Sequence, residues 1–444
     1  MNAEVHQIRT AAEAALAETF AAAKTRLPGR GAIAAMRETA FDAFAAKGLP
    51  HRRVEEWKYT DLRTLMREAK PLAVPPDKAA KVVAGEAGKL LASVASRRIV
   101  VVNGAFVPEL SDLTALEPGL SIGSLAVALA QSDAETVRAL GRTVALDGDP
   151  TVALNTAFMS DGAVIRLADG ARLERPIHLV YVASGGTATS IYTRSLVEVG
   201  RDAQATIVES HEGQGGVDYQ VNHALELSVA DGATVEYVKI DAEGDKALHV
   251  GTLMAALGAG VTFNAFVYAK GGAAVRNQVA LRFDGEGAQA HLRGATLLKG
   301  HQHVDTTLIV DHKAGQCMSR ELFKSVLDGE SRSVFQGKIV VRQNAQKTDG
   351  KMMTRALLLS ETAEADAKPE LEIFADDVVC GHGATAGALD EDLKFYLMAR
   401  GIPAKEAEAL LIEAFVGEVV ENIGHEGVRD AIMNDARGWF AARV

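Results

Sequence analysis

The sequence predicts a mainly β chain, a parallel β-helix (β-solenoid) flanked by N-terminal and C-terminal helical domains. Three observations carry this. A small-residue corner recurs at Asp169-Gly170-Ala171, Gly200-Arg201-Asp202-Ala203, Asp231-Gly232-Ala233, Ala259-Gly260-Val261, Glu286-Gly287-Ala288 and Ala314-Gly315-Gln316, with glycines 30, 32, 28, 27 and 28 residues apart. Extended apolar runs such as Ala205-Thr206-Ile207-Val208 and Thr234-Val235-Glu236-Tyr237-Val238 lie between the corners. A period of this length means one supersecondary unit stacked on itself. A β-sandwich would instead give turns every ~8–12 residues without a shared corner phrase. Third, the chain is 48% hydrophobic but only 5% aromatic, with 41 Gly and 11 Pro among 444 residues. That balance fits short strands of Val, Leu, Ile and Ala joined by tight turns, not disorder.

In chain order, residues 1–95 read as an N-terminal helical domain with a proline-containing linker. Val5 to Arg26 is Ala- and Glu-rich, and Pro28-Gly29 breaks it. A second helix spans Ala32 to Lys47, with Gly48 in the C-cap place and Pro50 after it. Arg52 to Leu62 carries mixed charge and reads as a surface turn, with Trp57 and Tyr59 anchored in a local core. Pro71, Pro75 and Pro76 mark the linker. Residues 96–160 read as a mixed α/β connection. Ile99 to Val102, Asn103-Gly104 and Phe106-Val107 give a strand–turn–strand signal, and short helices follow near Ser124 to Ala130 and Asp133 to Leu140. Residues 161–380 form the β-helix core. Residues 384–444 form a C-terminal helical domain, with helices over Leu389 to Arg400, Ala404 to Ile423 and Val428 to Arg443.

The net charge of −11 argues against nucleic acid as a partner, and no apolar run reaches membrane-spanning length. Met1 to Thr10 lacks the basic-then-apolar order of a secretory signal, so a cytoplasmic location is expected. Two cysteines, Cys317 and Cys380, are too few for a disulfide framework. P-loop, Gly-x-Ser-x-Gly and His-Glu-x-x-His motifs are all missing, so any ATP hydrolysis belongs to a partner.

Three groups of metal-binding side chains remain. His301 and His303 would share a strand face, but two ligands do not make a zinc site, and a solvated or core-satisfied pair is the simpler reading. Cys317, with only His312 upstream, reads as a core thiol. Cys380-Gly381-His382-Gly383-Ala384-Thr385 is sharper. Thiolate and imidazole both bind iron and zinc, and in an extended segment they point the same way. The pair is half a metal site; the alternative for Cys380 is a packing group.

Val334 to Val341, Ala345-Gln346-Lys347-Thr348-Asp349, Leu357-Leu358-Leu359-Ser360, Lys368-Pro369-Glu370-Leu371-Glu372-Ile373 and Asp376 to Thr385 together closely resemble the SufB/SufD family of iron–sulfur cluster assembly scaffolds. So does Phe395-Tyr396-Leu397 through Arg400-Gly401-Ile402. The Cys-x-His-Gly-Ala-Thr phrase, Glu56-Trp57-Lys58-Tyr59-Thr60 and Val102-Asn103-Gly104-x-Phe106-Val107-Pro108 are similar to the SufD branch. Gly381, where a polar small residue is usual, and Lys351-Met352-Met353-Thr354-Arg355 depart from the pattern.

The resemblance implies a right-handed β-helix that pairs with a SufB-like subunit and C-terminal helices that bind a SufC-like ATPase. It implies a scaffold without enzymatic activity, on which an iron–sulfur cluster is held transiently. It places His382, with or without Cys380, at the SufB interface; Tyr396, Leu397, Arg400 and Ile402, at the turn between two amphipathic helices, are the expected ATPase contacts, the alternative being that Leu397 and Ile402 only pack the local bundle. A reduced flavin is associated with such complexes, and a homodimer is a possible state of the isolated chain. The rival readings are a carbohydrate-active β-helix enzyme, which wants secretion and a column of catalytic acids, and a purely structural solenoid homo-oligomer.

Overall fold

The computed structural model describes residues 9–146 and 148–442. Its strands alternate along the chain between two sheets, ten-stranded and nine-stranded. Gln204–Gly213 pairs in parallel with Ile177–Ala183 before it and Thr234–Ala242 after it. Between them Ser190–Val199 pairs with Gln220–Val229 in the other sheet. The alternation continues to Glu364–Ile373 and Val379–Gly387. Two parallel ladders back to back make a flattened solenoid with two strands per coil. The sandwich alternative is excluded, since beyond one antiparallel pair at the N-terminal end of each sheet the neighbouring strands run parallel and lie one coil apart.

The corners explain the repeat. Gly170, Gly232, Gly260 and Gly287 have φ between 62° and 72°, open to glycine at no steric cost. At the other two corners the left-handed residue is the neighbour, Asp202 (φ 55°) or Gln316 (φ 60°). Gly200 is needed for a different reason: a Cβ there would sit 2.5 Å from the Asp169 backbone nitrogen. Asp169 Oδ1 accepts a hydrogen bond from the Arg201 N–H at 2.8 Å, so an aspartate of one coil caps the corner of the next.

The strands run past the 161–380 span at both ends. Arg97–Val102 turns through Asn103 (φ 50°) and Gly104 (φ 80°) into Ala105–Phe106, as the Asn-Gly signal predicts. Yet Arg97–Val102 also pairs in parallel with Ile177–Ala183, so it is a rung of the ten-stranded sheet. At the other end, the strand Val379–Gly387 continues where a helical pattern is expected from Gly383.

Helices cover both outer faces, as parallel sheets require. Ala11–Ala23 lies within the predicted Val5 to Arg26, of which residues 5–8 fall outside the described residues. Ala32–Lys47 has the predicted bounds and ends on Gly48. Pro150–Phe158, unforeseen, is capped by Asp149 with Pro150 in its first turn. These helices bury Phe20, Phe41, Phe44, Leu154 and Phe158 against Tyr192, Leu248, Val250 and Ala274 of the nine-stranded sheet. At the other end, Ala404–Val420 and Glu426–Ala442 press Ile412, Val416, Val420, Ile432 and Phe440 onto Val238, Phe266, Leu297 and Val326 of the ten-stranded sheet. The predicted last residue of that final helix, Arg443, lies outside the described residues. Tyr268 Oη and Lys270 Nζ, 2.8 and 2.5 Å from the Asp435 carboxylate, fasten the last helix. No helix among the described residues is long and apolar enough to cross a membrane.

Trp57 is buried with Leu49, Leu62 and Met66, as expected, in a core that extends onto the nine-stranded sheet. Its ring lies under the Arg276 guanidinium at 3.8 Å, and Arg276 in turn pairs with Asp305 at 2.5 Å. Thr60 Oγ1 donates to the same Asp305 carboxylate at 2.5 Å, and Arg276 also donates to the Glu56 carbonyl oxygen at 2.8 Å. Tyr59 is half-buried. The partners of this phrase lie more than 200 residues downstream, beyond the reach of a local pattern. Trp57→Ala should therefore destabilise the whole chain by about 3–5 kcal/mol, the cost of emptying a packed aromatic site. Urea unfolding followed by circular dichroism reads this; a loss confined to helical signal would mean that the N-terminal helices unfold separately.

Candidate functional site

Val379–Gly387 is the terminal strand of the ten-stranded sheet. One side is hydrogen-bonded to Asp349–Leu358, in the register Gly350↔Cys380 and Met352↔His382. Its other side meets no strand among the described residues. One coil further back, the same columns hold Ser319 and Glu321. Met352 is 2% exposed and part of the lumen core, so the column His382–Met352–Glu321 faces the lumen between the sheets. Cys380 packs partly against that core, while His382 is exposed. The two side chains thus share the inner face of the last coil, at the open end of the solenoid.

The chemistry of this end is set by burial and by acids. Burial raises the Cys380 thiol above its ordinary value; Asp349 and Glu321 add to the shift, and a hydrogen bond from the Gly350 N–H opposes it. A metal binding there must displace a thiol proton. Glu321 is fully enclosed, neither of its oxygens finds a hydrogen-bond donor, and burial pushes its carboxyl up to about 8. Sequence spacing gives no hint of Glu321 from the Cys380 side. The link is the coil period: Glu321, Met352 and His382 are 31 and 30 residues apart.

A cavity of about 580 Å³ opens at the end of this sheet, and Cys380, His382, Glu321 and Met352 all line it. Its walls include His291, Arg293, Arg320, Lys351 and Arg355, with Glu418 from the helix Ala404–Val420. Arg320 pairs with Asp349 at 2.5 Å and Arg355 with Glu418 at 3.4 Å. Nothing in the local sequence groups these cations, because they come from three successive coils.

The other sequence candidates separate. His301 sits in the turn after Gly300, outside the strand, 3.5 Å from Glu330, whereas His303 is the first residue of His303–His312 and lies 2.9 Å from Thr60 Oγ1. The expected shared face is therefore not formed, because the strand starts two residues later than the pattern suggests. Cys317 is a core thiol, 1% exposed, with its Sγ 3.3 Å from the carbonyl oxygens of Gly285 and Gly315.

On the C-terminal side, Glu391–Ala399 has no buried residue. Leu393, Phe395, Tyr396 and Met398 are exposed at 51, 70, 53 and 42%. The Arg400 guanidinium lies 4.5 Å from the centre of the Tyr396 ring. Leu397 and Ile402 are half-buried, and the Ile402 N–H donates to the Leu397 carbonyl oxygen at 3.3 Å. Sequence reading names Tyr396, Leu397, Arg400 and Ile402, and Phe395 within the family phrase, but not Leu393 and Met398, whose exposure depends on how the helix is seated.

Glu321 gives the site a pH signature. Between the ordinary glutamate value and about 8, the folded chain holds a proton that the unfolded chain has lost. Stability is therefore fullest below about pH 4.5 for this group and falls as pH rises toward 8. Glu321→Gln should match the parent near pH 5 and exceed it near pH 8, by a few kcal/mol at most. Denaturant midpoints at the two pH values check this; equal differences at both would mean that Glu321 is ionised and compensated.

Two family models match the chain. The model for SUF system FeS cluster assembly, SufBD core domain, matches residues 181–415, and that for the SufBD protein N-terminal region matches residues 12–179. An iron–sulfur cluster assembly SufBD family protein of Synechocystis sp. is 32% identical over 405 residues, covering 87% of this chain and 86% of that protein. The iron–sulfur cluster assembly protein SufD of Escherichia coli is 29% identical over 389 residues, covering 87% and 88%. SufD of Bacillus subtilis is 27% identical over 293 residues, covering 66% and 67%. With both regions of the family in their expected order along one solenoid and its helical flanks, the chain belongs to the SufBD family of iron–sulfur cluster assembly proteins and is SufD-like.

Proposed function

We propose that this chain is a non-catalytic scaffold subunit on which an iron–sulfur cluster is assembled at the open end of the solenoid, opposite a SufB-like subunit. The observation that carries this reading is the unpaired terminal strand with Cys380 and His382 on its inner face. An unpaired strand edge is a template for another chain's strand, and Phe374 and Val379 beside it are 59 and 61% exposed. One imidazole and one thiol leave coordination positions on iron unfilled, and a facing subunit completes them. A second copy of this chain is the competing occupant of that edge.

The exposed face of Glu391–Ala399 is the docking surface for a SufC-like ATPase, with Phe395 and Tyr396 as aromatic anchors and Arg400 at the rim. Removing the whole C-terminal region would also uncover the apolar sheet face beneath Val416 and Ile432, so point variants are the cleaner test.

His382→Ala should leave the complex with both partners intact and its ATPase turning over, while iron and acid-labile sulfide per purified complex fall at least several-fold. Wild-type cluster content in that variant would sink the interface-ligand reading. Cys380→Ala should have an equal or smaller effect, and Cys317→Ala should leave cluster content near that of the parent. The double variant Phe395→Ala, Tyr396→Ala should lose co-purification with the ATPase and keep its circular dichroism spectrum. Retained binding would move the docking surface elsewhere.

A further inference from the structure

Far from the open end, the apolar lumen gives way to ionisable side chains. Glu209 and His211 lie two residues apart on Gln204–Gly213 and face inward, in line with the core residue Ile207. His223 reaches in from Gln220–Val229 of the opposite sheet. All three side chains are 1% exposed. His211 Nε2 is 2.6 Å from Glu209 Oε1, and His223 Nε2 is 3.3 Å from Glu209 Oε2. One donor atom from each of the three falls within a 4.8 Å cluster.

Two features of this cluster ask for a cation. Glu209 is a buried carboxylate whose ion-pair partners among the described residues are these two imidazoles; no Lys or Arg reaches it. A buried carboxylate without a fixed counter-charge is costly. In addition, His223 Nε2 is buried without a hydrogen-bond partner of acceptable geometry. Its other nitrogen, Nδ1, is 2.7 Å from Thr193 Oγ1. If that nitrogen carries the proton and donates it to Thr193, the Nε2 lone pair points at Glu209, an arrangement that a proton or a metal ion between them would resolve.

A second set, His211, Glu243 and His249, also brings three donor atoms within 4.8 Å of one another. There a lysine already engages one of the three: Lys239 Nζ is 3.0 Å from His249 Nε2, 2.6 Å from Asn277 Oδ1 and 3.3 Å from Asp241 Oδ1. The set without Lys239 is thus the one left to be filled. Supporting groups surround it. Tyr237 Oη donates to Glu209 Oε2 at 3.1 Å, and the Tyr181 ring stacks on His211 at 4.7 Å. A void of about 10 Å³ beside Tyr181, Thr193, His211 and Glu243 has room for about one water.

We propose that Glu209, His211 and His223 form a buried mononuclear site for a divalent first-row transition ion of the zinc or ferrous class, held by two imidazoles and one carboxylate with a water as the remaining donor. Two-His-one-carboxylate donor sets suit both ions. The ion replaces the proton shared between His211 and Glu209 and ties the two sheets together across the lumen. Because the cluster is enclosed, the ion enters as the coils close and exchanges slowly afterwards. This site is separate from the Cys380–His382 end and does not depend on a partner.

The test uses the full chain, expressed in medium supplemented with zinc or ferrous iron and purified without oxygen. Elemental analysis should find about one ion per chain, and its identity separates the two metals. Chelator should remove it only after denaturant is added. Glu209→Gln and His223→Gln should each lose the ion, whereas the double variant Cys380→Ser, His382→Ala should retain it. Refolding the parent chain with cobalt(II) should give visible ligand-field bands and a raised melting temperature, a readout that stands even if the lumen variants fail to fold. No metal in the purified parent together with no cobalt bands after refolding would overturn the proposal and leave the carboxylate balanced by a proton on one imidazole. Metal unchanged in both lumen variants, or lost in the Cys380/His382 variant, would equally overturn it.

Discussion

Every coil of this solenoid satisfies its backbone hydrogen bonds on the coil before and the coil after, and that one constraint organises the molecule. Parallel pairing holds side chains of successive coils in columns, so a position in one coil fixes its neighbours about thirty residues away. It also forces close approach at the corners, where Gly200 leaves room for the aspartate cap of the preceding coil. And it cannot be satisfied at the end. The last strand offers one free edge, and the residues that carry the chemistry of the family phrase, Cys380 and His382, lie on that strand. The candidate site lies where the repeat stops.

The helical flanks follow from the same constraint. A parallel ladder is apolar on both faces, one toward the lumen and one outward. The outward faces are covered by chain from opposite ends of the sequence, and charged side chains lock each cover. Arg276 is sandwiched between Trp57 and Asp305 on one side. On the other, Lys324 is buried beneath Ala404–Val420, paired with Glu418 and 4.4 Å from the Phe415 ring. Buried cations of this kind are weak sources of net stability but strong penalties against misdocking, since a slipped cover would leave the charge unpaired. Glu391–Ala399 is the exception: none of its residues is buried, and Phe395 and Tyr396 are exposed.

The lumen is not uniform. Most of it is aliphatic and aromatic, but beside Ile207 and Leu225 it holds a cluster of tyrosines, histidines and carboxylates that reaches Asn277. Burial keeps the rings neutral there: His211 is held down at about 4 and His249 at about 3. Such a network is worth its desolvation only when its groups are matched. Matching is supplied by Lys239 on one flank and by Thr193, Tyr237 and Ser195 elsewhere.

The sequence by itself determined the solenoid, its helical ends and the Cys380–His382 phrase. These are written in local chemistry: corner glycines at a shared spacing, Asn103-Gly104 between two apolar runs, Gly48 and Pro50 closing a helix, a thiol and an imidazole two residues apart. Tertiary structure alone decided which residues share a column and which face is left open. Trp57 is the local anchor that its phrase suggests, but only the fold brings Arg276 over its ring; Pro150–Phe158 is ambiguous until the nine-stranded sheet gives it a surface to cover. Glu321 carries no mark in sequence, yet stacking places it two rungs below His382. Glu209, His211 and His223 come from opposite sheets, and only closure of the coil brings them together. The physical reason is the same in each case: a local pattern specifies the strand and its parity, while the neighbours across a ladder or a lumen are set by the length of the coil.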